Sequence, residues 1–267
     1  MKRTSAIILS AGKGTRFGGN MPKQYLLLDG KPMLYYALKA FELSRVNEVI
    51  LVAGEDELSF VHDEIVEKYG FSKVTKVIAG GKEGYNSVMN GLEALKESNP
   101  EVVLIHDGAR PLIGIDVINE IIEETFEHEA VIAAMPVKDT IKLSDDDGFI
   151  KATTERKNTW MAQTPQAFKY QLILEAYRKT VGADSYQKKE ETAERALIPE
   201  SIRLFCDEKN ESAEDKKKRE SLKNITDDAM VFSTVFPEKK VKLIKAGYSN
   251  IKITTNEDLK TAEAMMR

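Results

Sequence analysis

Short apolar runs and amphipathic segments alternate along the first half of the chain. The apolar runs predict five strands, at residues 6–9, 48–53, 73–79, 101–106 and 130–135. Between them, apolar residues recur at helical spacing and predict helices at residues 31–43, 56–69, 85–96 and 115–128. This alternation is typical of a parallel sheet covered by helices, so the pattern predicts an α/β, Rossmann-like fold with a mostly parallel sheet and helices on both faces.

The pattern changes after residue 136. Two short alternating runs, 137–143 and 149–154, flank an Asp-rich turn that contains a glycine, which predicts a β-hairpin. No helix intervenes, so we expect a protruding β-arm at about 137–159. A two-stranded arm is marginally stable alone and gains stability by packing, and a second subunit is the expected partner. A floppy surface hairpin is the alternative.

The rest of the chain completes one predicted domain over residues 1–267. We predict a returning strand at 160–163, strands at 240–245 and 250–253, and helices at 168–180, from Thr226 onward and at 256–266, the last two with Thr226 and Asn256 as N-caps. Residues 182–223 are highly charged and contain few large apolar groups. We interpret them as a surface insertion, helical in part, and expect no function of their own.

Composition narrows the class of protein. The chain has 267 residues, 42% of them hydrophobic and 31% charged, as expected for a globular protein with a sizeable core. The net charge of −4 argues against bulk binding to nucleic acid or to a membrane surface. The single cysteine, Cys206, excludes an intrachain disulfide, and the three histidines are scattered. With no signal peptide or spanning segment in sight, we expect a cytoplasmic protein.

The chemistry of the chain points first to residues 6–25, where the first predicted strand ends in small and basic residues. The sequence does not fit a P-loop, because Ile7 stands where the first glycine should be and Gly14 follows the lysine. It does not fit the G-x-G-x-x-G dinucleotide motif either, because Gly12, Gly14 and Gly18 are spaced one residue too long. It is a third kind of loop, in which glycines let backbone N–H groups approach a polyphosphate and basic side chains supply charge. An ordinary Gly-rich turn with solvated lysines is the less favoured interpretation.

Polar clusters follow three of the predicted strands. They lie at residues 10–16, 80–87 and 107–110. Because ligands of parallel sheets bind outside the carboxyl ends of the strands, we expect these clusters to meet at one binding edge.

Six segments together resemble the 2-C-methyl-D-erythritol 4-phosphate cytidylyltransferases of the non-mevalonate isoprenoid pathway. They are SAGKGTRFGGNMPKQY (10–25), IHDGARPL (105–112), PVKDTIK (136–142), TTERKNTWMAQTPQAF (153–168), TDDA (226–229) and SNIKITTNEDL (249–259). The ribitol-5-phosphate cytidylyltransferases of wall teichoic acid synthesis share several of these features and are the closest rival. The resemblance implies the sheet of the nucleotide-diphospho-sugar transferase type and the expected arm.

The resemblance also implies a reaction. The phosphate of a sugar alcohol would attack the α-phosphorus of CTP and release pyrophosphate, so the catalyst needs positioning and positive charge more than a proton-transfer base. Arg16, Lys23 and Lys252 are the implied catalytic cations. Mg²⁺ would be the cofactor, held mainly through the CTP phosphates, with no metal ligand expected from the protein.

Binding roles are implied for further positions. For the nucleotide they are Ala11, Gly12, Gly14, Gly81, Lys82, Ser87 and Asp107. For the sugar-alcohol phosphate they are Arg110, Thr140, Arg156, Thr164 and Thr226. The family places Thr140 and Arg156 in the neighbouring subunit's active site, which makes a homodimer the expected assembly. Structural roles remain open for Asp107, Thr164 and Thr226, and we expect His106 to be structural.

Two departures from the family pattern leave alternatives open. The family usually has an arginine where this chain has Gly84, which removes a cation near the nucleotide. The 182–223 insertion borders the substrate end of the expected pocket. A CTP-binding protein without turnover therefore remains an alternative, beside an enzyme that uses ribitol phosphate.

Overall fold

The computed structural model describes residues 3–12, 22–181 and 225–266. Its main sheet has seven strands, and two short two-stranded sheets accompany it. The strands of the main sheet are Thr4–Leu9 (β1), Glu48–Ala53 (β4), Val74–Ala79 (β5), Val102–Asp107 (β6), Ala130–Pro136 (β7), Trp160–Lys169 (β10) and Lys242–Lys245 (β11). The short sheets pair Leu27–Leu28 (β2) with Lys31–Pro32 (β3) and Lys142–Ser144 (β8) with Ile150–Thr153 (β9).

The main sheet is mostly parallel. Its strand order is β11-β7-β10-β6-β1-β4-β5, and β10 alone among these seven runs antiparallel to its neighbours. β1 pairs with β4 on one side and with β6 on the other, and both are parallel to it. The carboxyl ends of β1, β4, β5 and β6 therefore share one edge.

Helices cover both faces of the sheet. They are Met33–Leu43 (α1), Leu58–Val61 (α2) continued by a π-helical segment His62–Glu67, Gly84–Ala94 (α3), Ile115–His128 (α4), Tyr170–Val181 (α5), Asp228–Val235 (α6) and Asn256–Met266 (α7). Successive residues of β1 point to opposite faces, so Ala6 and Ile8 pack in one core with α1, α2 and α4, while Ile7 packs in the other with α3, α5 and α6. The predicted α/β fold is confirmed.

Several predicted boundaries differ from the structure. Residues 250–253 form an extended segment without a ladder, so the strand predicted there is wrong. The returning strand is longer than predicted, because β10 continues through Lys169. Asp227, not Thr226, caps α6: its carboxylate accepts a hydrogen bond from the N–H of Met230.

The cap predicted for α7 is also displaced by one residue. Asp258 N donates to Thr255 Oγ1 at 3.2 Å, and the Asp258 carboxylate accepts from Thr255 N at 2.9 Å. This reciprocal pair is a capping box that begins at Thr255, which replaces Asn256 as the capping residue.

The hairpin predicted between 137 and 159 contains an antiparallel pair of strands, β8 and β9. It leaves large apolar side chains in solvent: Leu143 is 52% exposed, Phe149 72% and Ile150 66%. Such side chains are candidates for contact with another molecule.

No helix in the three described ranges combines the length and apolar character that crossing a membrane requires.

Candidate active site

Three loops meet at the carboxyl edge of the sheet. The N–H of Ser10, just after β1, donates to Val52 O at 2.7 Å; that of Gly80, just after β5, donates to Ala53 O at 2.8 Å. Gly108, just after β6, donates to Leu9 O at 2.9 Å. Each loop is thus tied to the end of a neighbouring strand, and the described parts of the three polar clusters lie on one edge as expected.

A cavity of about 840 Å³ opens at this edge. Its wall includes six of the residues selected from the sequence: Lys82, Asp107, Arg110, Thr164, Thr226 and Lys252. The volume lies within the range typical of small-molecule sites, so the cavity can hold a nucleotide-sized ligand.

Asp107 is the centre of charge in the cavity. Its carboxylate accepts from Arg110 Nε at 3.2 Å and from Lys252 Nζ at 3.0 Å. Burial alone would raise the pKa of Asp107, but the charges of Lys252 and Arg110 outweigh it and hold that pKa below its ordinary value. Asp107 is therefore an anion that holds two cations at one edge.

The third cation arrives from the other end of the sequence. Lys23 Nζ donates to Ile253 O at 3.0 Å, and Ile253 N donates to Ala109 O at 2.9 Å. Gln24 donates to Ser10 O at 2.6 Å and fixes the Lys23 segment beneath the end of β1. The Lys23 side chain therefore reaches the backbone of the residue that follows Lys252.

The loop after β5 packs too closely for larger residues. A Cβ at Gly80 would lie 2.4 Å from Ala11 Cβ, and one at Gly81 would lie 2.2 Å from Asn86 Cβ. Gly81 N donates to Ser87 Oγ at 3.0 Å. The predicted nucleotide-binding residues Ala11, Gly81 and Ser87 thus form one compact cluster, although none of them lines the cavity itself.

Gly84 opens α3 and lines the cavity. A Cβ built there meets no atom of the protein within 4 Å, so the position has room for a larger side chain. The absence of an arginine at this position therefore does not follow from crowding.

Several residues of the site were not selected from the sequence. Asn250 is fully buried, and its Nδ2 donates to Gln163 Oε1 at 3.0 Å and to Thr164 O at 2.9 Å. Gln166 Oε1 accepts from Ala229 N at 2.8 Å and thereby fixes the start of α6. Gln163 and Gln166 flank the selected Thr164 in the T-P-Q segment, which was the available signal for them.

A buried acid lies against the cavity. The Tyr177 hydroxyl donates to Asp228 Oδ1, and both side chains are almost completely buried. Burial raises the pKa of Asp228 to about 7; the carboxylates of Asp227 and Asp107 add to this, and the Tyr177 hydroxyl opposes it. A tyrosine in the middle of an amphipathic helix gives no sequence signal for such a pair.

Other selected residues are not part of this cavity wall. Arg16 and Gly14, like the charged insertion 182–223, lie outside the described residues. Gly12 is described and exposed, at the end of the β1 segment. Thr140 and Arg156 are exposed on the hairpin and its return, and neither contributes to the cavity within its own chain as far as the structure describes it.

The sequence matches the family model described as 2-C-methyl-D-erythritol 4-phosphate cytidylyltransferase over residues 4–204. A protein of that name from Lachnoclostridium phytofermentans is 43% identical over 269 residues, covering 100% of this chain and 97% of that protein. Another of that name, from Alkaliphilus oremlandii, is 41% identical over 268 residues, covering 100% of this chain and 96% of that protein.

Solved structures agree with these relatives. The crystal structure of a 4-diphosphocytidyl-2C-methyl-D-erythritol synthase from Anaerococcus prevotii has a TM-score of 0.72 and 30% identity, covering 99% of this chain and 98% of that chain. The 2-C-methyl-D-erythritol 4-phosphate cytidylyltransferase of Francisella tularensis has a TM-score of 0.67 and 25% identity, covering 98% and 99%.

The buried acid gives a prediction about stability and pH. The folded chain holds the Asp228 proton up to a pKa of about 7, whereas an unfolded chain releases it near pH 4. Unfolding therefore releases a proton between these values, and this contribution to stability falls as the pH rises from about 4 to about 7. Asp228→Asn should raise the free energy of unfolding at pH 7.5, on the order of 2–4 kcal/mol, and should gain much less at pH 4.5, as measured by urea denaturation.

Asp258→Asn is the matched control, because the donors of Thr254 and Thr255 outweigh burial and lower the pKa of Asp258. Its contribution is present at neutral pH and is lost in acid, so this variant should be destabilised at pH 7.5. An Asp228→Asn variant with the same loss at both pH values would contradict the assignment.

Proposed function

The chain belongs to the family of 2-C-methyl-D-erythritol 4-phosphate cytidylyltransferases, and on this premise we propose that it transfers CMP from CTP to 2-C-methyl-D-erythritol 4-phosphate. The products would be 4-diphosphocytidyl-2-C-methyl-D-erythritol and pyrophosphate, in the synthesis of isoprenoid precursors by the non-mevalonate route. The observation that carries the proposal is that Arg110 and Lys252 line one cavity at the carboxyl edge of the sheet, while Lys23 bonds to the carbonyl of the residue that follows Lys252.

Charge is the obstacle that these residues would overcome. Both reactants are anions, and negative charge builds on the α-phosphoryl oxygens as the acceptor phosphate attacks. Lys23, together with Arg16 of the loop after β1, would bind the triphosphate and stabilise that charge, and Lys252 would hold the α-phosphate from the opposite side. The acceptor phosphate is already ionised at neutral pH, so the mechanism needs no general base for the attacking oxygen.

The nucleotide would bind against the loops that follow β1 and β5. There Gly80 packs closely against Ala11, which brings the backbones of the two loops together, and Lys82 lines the cavity. We assign cytosine to the backbone of Ala11, Gly12 and Gly81, with Ser87 fixing that turn, and the family resemblance also assigns Gly14 to the nucleotide. Asp107 would contact the ribose side, and Arg110 and Thr226 the acceptor side.

Enzymes of this family typically use a divalent metal. Three aspartates at the described edge are already engaged: Asp107 by two cations, Asp227 by Gln166 and the N–H of Met230, and Asp228 by the Tyr177 hydroxyl. These carboxylates therefore do not form a complete set of metal ligands. The arrangement fits an ion that is coordinated mainly by the phosphate oxygens of the nucleotide. We propose Mg²⁺, which prefers phosphate and water oxygens and would neutralise part of the triphosphate charge.

One group of possible metal ligands occurs within residues 3–12, 22–181 and 225–266. It consists of Glu124, Glu127 and His128 on α4, and it does not line the cavity. Lys242 Nζ already contacts Glu124 and lies 3.0 Å from His128 Nε2. This group therefore has no place in the proposed reaction.

We propose that the hairpin completes the acceptor site of a second subunit. Thr140 and Arg156 are exposed and lie outside the cavity of their own chain, although the family resemblance assigns both to the acceptor phosphate. The exposed Leu143, Phe149 and Ile150 supply apolar area for a homodimer contact. The single cysteine favours a reducing compartment, and we place the enzyme in the cytoplasm.

The substrate is tested by measuring pyrophosphate release from CTP with each acceptor separately. We expect release with 2-C-methyl-D-erythritol 4-phosphate and little or none with ribitol 5-phosphate. Release with ribitol 5-phosphate alone would show that the chain is a ribitol-5-phosphate cytidylyltransferase. CTP binding without release for either acceptor, shown by calorimetry, would identify a binding protein that has lost turnover, the alternative suggested by Gly84.

Lys23→Ala tests whether Lys23 binds the triphosphate and stabilises the charge that develops on it. A positioned cation stabilising a developing oxyanion is expected to contribute about 2–4 kcal/mol to the barrier, so kcat should fall by about a hundredfold or more. Lys76→Ala is the matched control, because Lys76 also donates to a backbone carbonyl, Ala94 O at 3.0 Å, but on the exposed β5 strand. Equal turnover in the two variants, with thermal stability unchanged, would refute this role of Lys23.

Mixed dimers test whether Arg156 acts across the interface. Arg156→Ala and Lys23→Ala proteins should each be inactive alone. After subunit exchange, each mixed dimer would contain one site with both residues intact, so activity should recover to about a quarter of wild type for a two-fold symmetric dimer. With exchange verified by mass spectrometry, a mixture that stays inactive would place Arg156 in the site of its own chain.

A further inference from the structure

Thr164 lies where β10 leaves its partner strand. The pairing of β10 with β7 shifts register between Ala162 and Gln166, and Pro165 has no N–H to offer a ladder. At this point Asp107 N, at the end of β6, donates to Thr164 Oγ1 at 3.0 Å. The hydroxyl thus takes the place of a backbone acceptor and holds the backbone of the residue that binds both cations.

The contacts of His106 determine which of its nitrogens carries the proton. Nε2 lies 3.2 Å from the carbonyl oxygen of Arg110, and a carbonyl oxygen can only accept, so Nε2 carries the hydrogen. Burial lowers the pKa of His106 to about 4, and the imidazole is neutral at working pH. Its Nδ1 is then an acceptor, and it lies 3.0 Å from Thr164 Oγ1.

These two assignments fix the hydroxyl hydrogen of Thr164. A hydroxyl has one hydrogen to donate, and here it goes to His106 Nδ1 while an oxygen lone pair accepts from Asp107 N. Phosphate oxygens at neutral pH accept hydrogen bonds and do not donate them. Thr164 therefore has no hydrogen left for the phosphate of a substrate, although it lines the cavity.

We propose that Thr164 and His106 are a pair of positioning residues that hold the Asp107–Arg110 turn, and that Thr164 does not bind the acceptor directly. Thr164 fixes the start of the turn through Asp107 N, and His106 fixes its end through Arg110 O. The turn is closed by Arg110 N, which donates to Asp107 O at 3.0 Å. The pair thereby sets where the Asp107 carboxylate and the Arg110 guanidinium stand. This inference rests on the proposed function only for its kinetic test.

Coupling between the two residues is tested with Thr164→Val, His106→Phe and the double variant. Each single change leaves a buried polar group of the turn unpaired and should lower kcat/KM roughly tenfold. Because the two side chains are hydrogen-bonded to each other, the double variant should lose clearly less than the product of the two single losses. Losses that multiply, to roughly a hundredfold, would mean that Thr164 acts independently of His106 and would overturn the proposal.

Two further variants separate positioning from general damage. Thr164→Ser keeps the hydroxyl and should retain kcat/KM within about twofold of wild type. Thr125→Val removes the hydroxyl of a fully buried threonine away from the cavity, which donates to Ile121 O on α4, and it should leave the kinetics unchanged. A Thr164→Ser enzyme as impaired as Thr164→Val would contradict the role of the hydroxyl.

A spectroscopic measurement tests the pair without any assay. The ¹⁵N shifts of the His106 ring in the wild-type protein should report the neutral tautomer protonated at Nε2, and the Nδ1 signal should shift in Thr164→Val, which removes its donor. A ring protonated at Nδ1 would refute the proposed hydrogen bond from Thr164 to His106, even in an active enzyme. If the tautomer is as expected and no acceptor supports turnover, the proposed function fails while the hydrogen-bonded pair stands.

Discussion

The ion pairs of Asp107 are the interaction on which the rest of the site depends. Two like charges about 4 Å apart repel by about 4 kcal/mol at an effective dielectric constant of about 20, so cations gathered to bind phosphates need a counterion before the ligand arrives. The Asp107 carboxylate is that counterion, bound to Arg110 and Lys252 at 3.2 and 3.0 Å. It also keeps both side chains pointed at the cavity, so they are already placed when an anionic substrate enters.

The fold was largely predictable because it depends on local patterns. β4 and α4 have the predicted bounds, since a continuous apolar run and a helical stripe of apolar residues leave little freedom in where these elements begin and end. The segment 250–253 misled the prediction because its alternation reflects contacts other than a ladder. Asn250 O accepts from Arg110, and Ile253 bonds to Ala109 and Lys23 through its backbone.

The site was predictable only in part. The residues supplied by the family resemblance, such as Lys23, Asp107 and Lys252, do converge, because their motifs follow strands that end at one edge. The residues that hold them in place lack such a signal. Asn250 acts on Thr164 across 86 positions, and Tyr177 acts on Asp228 across 51. Hydrogen bonds between distant buried polar groups follow from the finished packing, which local periodicity does not encode.

The hydrogen bond from Lys23 to the carbonyl of Ile253 joins residues 230 positions apart. A ribosome adds about 5–20 residues per second, so about 10–50 seconds pass between the synthesis of the two partners. During that interval the β1–β4–β5 pairing at one end of the sheet can form from the emerging chain, while Ile253, to which Lys23 donates, is not yet made. The site is therefore completed only late in the synthesis of each new molecule, and a chain whose synthesis stops early could form part of the sheet but not the complete site.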